Sequence, residues 1–279
     1  MTDNSEILNK LSSLDGNDPV DYSGLRENTE NSLHYLLASM FPNFICPDFP
    51  CDECERTGTA YLDKARGFLT RSLSYVMSED DAEECSDWLL SRLPSIKEVL
   101  LSDVEAAYEG DPAAKSTDEV ILTYPAFTAI SVYRLAHELY SRQIPLIPRI
   151  MTEYAHRVTG IDIHPGAKIG RRFFIDHGTG VVIGETTTIG EHVKLYQHVT
   201  LGARSFEVAE DGSLVKGIKR HPDLGDNVVV YAGATILGGD TRIGNNCVIG
   251  GNVWLTHSVQ DGETVIASHS REHRRKNQL

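Results

Sequence analysis

Two sets of side chains in this sequence are suited to chemistry. Asp176 and His177 open the run Asp176-His-Gly-Thr-Gly180. Histidine, with an unperturbed pKa near ~6.5, can take a proton from a weak nucleophile at neutral pH. An Asp-His pair alone also fits a surface turn, and its place at an interruption of the repeat described below is what favours catalysis. The second set is Cys46, Cys51 and Cys54, in which a Cys-x-x-Cys pair has the spacing of half a zinc site. No second such pair completes it, so free thiols near a loop are expected and no metal site is assigned. Of the eleven histidines, His192, His198 and His257 read as exposed turn or edge residues. A three-histidine metal site would need a His-x4-His spacing, which His192 and His198 do not have.

These groups must be held by the surrounding elements, and the chain changes character near residue 160. Residues 1–25 are acidic, lack apolar periodicity and read as a flexible arm. Residues 26–158 read as an all-helical domain. Helices are expected over Glu27–Phe41 and Thr57–Met77, and Ser95-x-x-Glu98 and Ser116-x-x-Glu119 have the spacing of helix-capping boxes. Pro94 is expected to separate two helices, and Gly110-Asp111-Pro112 to break the next. Ala126–Tyr140 is apolar nearly all round, as in a helix buried between neighbours.

From residue 159 to 262 a six-residue period takes over. Ile163, Ile169, Ile175, Ile183, Ile189, Leu195 and Leu201 mark it, followed by Leu224, Val230, Ile236, Ile243, Ile249 and Leu255. Glycine follows many of them, and small or β-branched residues recur four places on. Neither a helix nor an alternating strand has this period. It fits a parallel β-helix in which each hexapeptide forms a short strand and a turn, and three complete a triangular coil. The glycines are expected to supply corner backbone. A Gly-rich antiparallel sandwich is the weaker reading. The register slips by two between Ile175 and Ile183, at the Asp176-His177 pair. A longer excursion, 203–223, breaks the coil after Leu201, and long solenoid loops on one edge commonly bind ligands.

Several segments together resemble serine O-acetyltransferase, a family of left-handed β-helix acyltransferases. They are Asp162-Ile-His-Pro-Gly-Ala-Lys-Ile-Gly170, Asp176-His-Gly-Thr-Gly180 with Gly184-Glu-Thr186, Val199-Thr-Leu-Gly202, and Arg220-His-Pro222. Gly110-Asp-Pro-Ala113 and Tyr133-Arg-Leu-Ala-His137 extend the resemblance into the helical region. The fold class it implies is α+β, an N-terminal all-helical domain followed by a left-handed parallel β-helix of hexapeptide repeats. The activity it implies is acetyl transfer from acetyl-CoA to L-serine, giving O-acetylserine for cysteine biosynthesis. By the resemblance His177 is the base and Asp162 orients it. Asp111 and Asp176 grip the substrate ammonium, Arg220 its carboxylate, and His221 completes the pocket. Opposite charges at both ends suit a zwitterion.

No tightly bound cofactor is implied; acetyl-CoA is a co-substrate. Its groove between neighbouring solenoids is matched to the small residues Gly202, Ala203, Ala232, Gly233 and Gly251. A site between subunits implies a homotrimer or a dimer of trimers. The basic tail, residues 263–279, offers Arg271, Arg274, Arg275 and Lys276 to coenzyme phosphates, with Lys216, Lys219 or Arg242 as substitutes. The sequence departs from the family pattern in a longer 203–219 loop, in Ala203 where a second glycine is common, and in Ile266-Ala-Ser-His269 where Gly-Val-Pro-Ala is usual. Its end, Asn277-Gln-Leu279, differs from the isoleucine-ended tail through which relatives bind O-acetylserine sulfhydrylase. That argues against such a complex and against cysteine feedback inhibition.

Composition limits the alternatives. The chain has 279 residues and a formal net charge of −14. Nucleic acid is an unfavourable partner for so acidic a protein. No apolar run approaches the ~18 residues of a membrane helix, and the first residues are not a secretory signal, so a cytoplasmic location without a membrane partner is expected. Five cysteines without such a signal argue against a disulfide framework. The competing functions are acetylation of another small hydroxyl acceptor, homoserine or a sugar, and a catalytically silent solenoid scaffold.

Overall fold

The computed structural model describes residues 4–13, 21–47 and 58–267, apart from the side chains of residues 6 and 9. Cys51, Cys54 and residues 271–279 lie outside the described residues. Helices come first: α1 (Asn4–Ser12), α2 (Leu25–Met40), α3 (Gly58–Leu73), α4 (Glu79–Gly110), α5 (Thr117–Thr123), α6 (Pro125–Ser141) and α7 (Ile147–Thr159). Within the stretch read as an arm, Asn4–Ser12 is helical, with Ile7, Leu8 and Leu11 exposed.

Helix α4 corrects two expectations. It runs unbroken through Pro94 for 32 residues. A proline inside a helix removes one hydrogen bond and costs about 3 kcal/mol. Burial of Leu89, Leu93, Ile96 and Leu100 on both sides of Pro94 offsets that cost. Ser95, expected to cap a helix, therefore lies mid-helix, its hydroxyl donating to the Arg92 carbonyl at 2.8 Å. The cap is Ser78, whose Oγ accepts from the Asp81 amide at 3.2 Å. The second box is as expected: Ser116 Oγ accepts from the Glu119 amide, and Glu119 accepts from the Lys115 amide. Helix α4 ends at Gly110, with Asp111 as its C-cap.

The rest of the described chain is a triangular parallel β-helix. Its first face stacks β1 (Asp162–Ile163), β4 (Val182–Ile183), β7 (Thr200–Gly202), β10 (Thr235–Leu237) and β13 (Trp254–Leu255). The second face holds β2 (Lys168–Ile169), β5 (Thr188–Ile189), β8 (Asp223–Leu224) and β11 (Arg242–Ile243). The third holds β3 (Phe174–Ile175), β6 (Lys194–Leu195), β9 (Val229–Val230), β12 (Val248–Ile249) and β14 (Thr264–Val265). The second residue of each pair points inward, and Ile175, Leu195, Val230 and Ile249 are fully buried in one column. Asp162 pairs with Val182, twenty residues on, whereas Val182 pairs with Thr200, eighteen on; the difference is the two-residue slip at His177. Between Gly202 and Asp223 the chain leaves the coil, and Val208 and Leu214 bridge as antiparallel partners.

The glycines after the strands have a different cause from the one expected. Gly170, Gly190, Gly225 and Gly244 are not in the left-handed region; the left-handed corner residues include Arg172, His192, Asn227 and Asn246. These glycines are required by the coil above them. A Cβ on Gly170 would lie 2.6 Å from the Gly190 carbonyl oxygen, and one on Gly190 would lie 2.7 Å from Gly225. The positions need space rather than unusual backbone angles.

One buried joint ties the helices to the solenoid. Arg134 on α6 donates to both Asp103 oxygens at 2.6 and 2.9 Å and to the Gly170 carbonyl at 2.8 Å. Asp103 on α4 also accepts from the Phe173 amide, and Tyr133 Oη donates to the Ala167 carbonyl. Breaking a buried, fully bonded pair of this kind by removing one partner costs roughly 3–5 kcal/mol.

Candidate active site

The slip places His177 on the border between the third and first faces. His177 itself has φ 59°, and Gly178 and Gly180 follow at 89° and 76°. A Cβ on Gly178 would lie 2.4 Å from Ile161 Cδ1, and one on Gly180 would lie 2.3 Å from the His198 ring. The tight turn thus needs both glycines, and it pushes the imidazole outward, with 71% of its side chain exposed.

Carboxylates and one cation surround this ring. Asp176 Oδ1 lies 3.9 Å from His177 Nε2, and Asp176 Oδ2 lies 3.0 Å from Lys194 Nζ. Lys194 also donates to the Gly110 carbonyl at 2.8 Å and sits over the Phe174 and Tyr196 rings. Asp111 approaches from the end of α4, accepting from Tyr124 Oη at 2.5 Å and from the Ala113 amide at 2.8 Å. The Tyr124 hydrogen bond first, then the Ala113 amide and the charges of Lys194 and His177, hold the Asp111 carboxyl below the usual range. Desolvation, with Asp111 beside it, pushes the Tyr124 hydroxyl up to about 12, so it stays protonated and donates.

Asp162 is not joined to His177 by a hydrogen bond or an ion pair. It lies on β1, and the carboxylate within 4 Å of the ring belongs to Asp176. Among the sequence-based site residues, the structure brings Asp111, Asp176 and His177 to one border.

A second group occupies the border between the first and second faces. Arg220 is paired with Glu185, whose other oxygen accepts from Tyr140 Oη at 2.7 Å. The Arg220 and His221 amides both donate to Thr186 Oγ1, at 3.0 and 3.1 Å. The Thr186 amide donates to His221 Nδ1, which places the neutral ring's proton on Nε2. Burial, reinforced by the Arg220 charge, lowers the His221 pKa to about 4. His164, its Nδ1 accepting from the Gly166 amide, is lowered to about 4 by burial and the Arg149 charge. Gly184 is obligatory here, because a Cβ would lie 2.0 Å from His221 Cδ2.

One chain thus places His177, Asp111 and Asp176 on one border of the first face and Arg220 and His221 on the other. The small residues matched to the coenzyme divide the same way. Gly202 and Ala203 close β7 on the Arg220 border, while Ala232, Gly233 and Gly251 lie on the His177 border between third-face and first-face strands. Sequence reasoning missed Tyr124, Tyr140, Glu185 and Lys194 as parts of these networks. Only Glu185 carried a signal, as part of the Gly184-Glu-Thr186 segment. Among the described residues, no three His, Cys, Asp or Glu side chains converge as metal ligands. Cys46 Sγ accepts from Tyr61 Oη at 3.6 Å.

A triangular β-helix with a histidine-bearing slip on one border is the architecture of the hexapeptide acyltransferases. Comparison with known proteins narrows the class. No family model matches the chain. A Synechococcus elongatus protein named "Serine acetyltransferase, plasmid" is 56% identical over 263 residues, covering 88% of this chain and 82% of the relative. A Staphylococcus aureus serine acetyltransferase is 48% identical over 164 residues, covering 59% of this chain and 72% of the relative. Among solved structures, Entamoeba histolytica serine acetyltransferase 1 in complex with L-cysteine superposes with TM-score 0.77 at 42% identity, covering 86% of each chain. The Neisseria gonorrhoeae enzyme in complex with serine gives 0.60 at 27% identity, covering 92% of this chain and 98% of that one. The chain belongs to the serine acetyltransferase family, and its fold is the left-handed parallel β-helix preceded by helices that the resemblance implied.

Proposed function

We propose that this protein transfers the acetyl group of acetyl-CoA to the hydroxyl of L-serine, giving O-acetylserine and free coenzyme A. The observation that carries the reading is the exposed His177 imidazole at the slip, flanked by Asp111 and Asp176. His177 accepts the hydroxyl proton as the serine oxygen attacks the thioester carbonyl carbon. The tetrahedral intermediate then collapses, the C–S bond breaks, and the leaving thiolate takes the proton back from the imidazolium. Asp111 and Asp176 receive the α-ammonium, and Arg220 the carboxylate, with His221 beside it.

Because these groups stand on opposite borders of one face, a neighbouring subunit supplies the second half of each site. A homotrimer, or a dimer of trimers, follows. The pantetheine lies along the same junction, where Gly202, Ala203, Ala232, Gly233 and Gly251 let it approach the backbone. Asp162 keeps its orienting role in this reading, and Asp162→Asn is expected to lower kcat less than loss of His177. The family relationship does not favour homoserine, a sugar or a silent scaffold. The proposal includes a cytoplasmic location; no described helix is long and apolar enough to cross a membrane.

A coupled thiol-release assay tests the proposal. Acetyl-CoA with L-serine is expected to release thiol. Release with galactose or homoserine in preference to serine would overturn the acceptor, and release with none would overturn the activity.

A further inference from the structure

Lys194 is a cation inside a site read as a receptor for a cation. Its ammonium lies 3.0 Å from Asp176 Oδ2, and its side chain is 17% exposed. It also bonds the Gly110 carbonyl, one residue before Asp111, so it touches both segments that carry the ammonium receptor, the end of α4 and the turn after β3. The Phe174 ring at 4.9 Å and the Tyr196 ring at 4.5 Å hold it on its other sides. A lysine so packed and paired cannot swing out to solvent without leaving Asp176 without its partner.

The consequence is a matter of charge. Asp111 and Asp176 alone would present two negative charges, which favour acceptors of net positive charge. With Lys194 the receptor carries one, matching a single ammonium. Lys194 also attracts a carboxylate on the same acceptor, and unlike Arg220 it belongs to the His177 border. We propose that Lys194 is a specificity-determining residue: a fixed internal counter-charge that biases the acceptor site toward a zwitterionic amino acid and against a simple amino alcohol. This rests on the reading of Asp111 and Asp176 as the ammonium receptor.

Three hydroxyl acceptors of graded charge test it: ethanolamine, L-serine and 3-hydroxypropionate. In Lys194→Met the ratio of kcat/KM for ethanolamine to that for serine is expected to rise about three- to tenfold. The ratio for 3-hydroxypropionate to serine should fall by a similar factor, the size expected for a partly screened charge several ångströms away. Lys194→Arg should restore both ratios. Asp176→Asn, which leaves the Lys194 charge unbalanced, should move both ratios the opposite way, and it answers the question even if Lys194→Met does not fold. A residue that merely braces Gly110 would lower all three acceptors alike, and that result would overturn the proposal. If Asp111→Asn and Asp176→Asn raise KM for serine while Lys194→Met leaves the ratios unchanged, the role of Lys194 falls and the ammonium receptor stands. If neither Asp variant changes KM for serine, the receptor itself is misread.

Discussion

His177 and His221 border the same face of the solenoid, yet the chain treats them differently. His177 has 71% of its side chain exposed, stands on a left-handed turn and has Asp176 Oδ1 at 3.9 Å as its ion-pair partner. His221 is 7% exposed, has its Nδ1 occupied by the Thr186 amide and lies against Gly184. A proton carrier must change charge during the reaction, so it needs solvent, a nearby carboxylate and few fixed bonds. A shape-determining group needs the reverse. Arg220 shares the second character: its guanidinium is already paired with Glu185, which in the proposed reading presents the acceptor carboxylate with a preset donor fork. In the proposed reading the His177 border carries the proton transfer and the ammonium receptor, and the Arg220 border receives the carboxylate.

The sharpest way to break this contrast is His177→Ala, which should lower kcat by roughly 10²–10⁴-fold while leaving KM for acetyl-CoA nearly unchanged. If His221→Asn lowers kcat equally, with KM for serine unaffected, the division of roles is wrong. Arg220→Met comes next. It should raise KM for serine by about ten- to a hundredfold, the size of a lost charge-assisted bond, with a smaller change in kcat at saturation. Steady-state kinetics with serine varied at saturating acetyl-CoA separates the two.

The smallest effect concerns pH and stability. The folded pKa values of His221 and His164 are about 4, below the unfolded value near ~6.5. Between those values the unfolded chain binds more protons, so stability is present above pH ~6.5 and falls as the pH drops toward 4. Melting temperature should decline across that window by roughly a few degrees. His221→Gln should shallow the decline; equal slopes in the two proteins would show that the Arg220 border is not the acid-sensitive one.

The solenoid was legible because a strict period exposes every inward residue, from Ile163 to Leu255, without knowledge of any partner. The helices were legible at ends set by local chemistry, as at Ser116 and Gly110. They were misread at Pro94 and Ser95, where burial of Leu89, Leu93, Ile96 and Leu100 carries the helix through a sequence that locally says stop. Asp176 and His177 were visible because they interrupt the period. Lys194 was not, because it occupies an ordinary outward strand position and gains meaning only from Asp176 and Gly110, 18 and 84 residues away in sequence. The glycine column was found for the wrong reason, since only stacked coils reveal that a carbonyl fills the space of a side chain.

Helix α4 has one end at the Ser78 cap and the other at Asp111, so its tilt sets where the Asp111 carboxylate stands. At 1.5 Å per residue it is about 48 Å long, and the arm from Pro94 to Asp111 is about 25 Å. A tilt of about 2° at Pro94 would swing the Asp111 carboxylate by close to 1 Å, a displacement that can cost about a hundredfold in rate. The Asp103–Arg134 joint and the Lys194 bond to Gly110 clamp the arm against that swing.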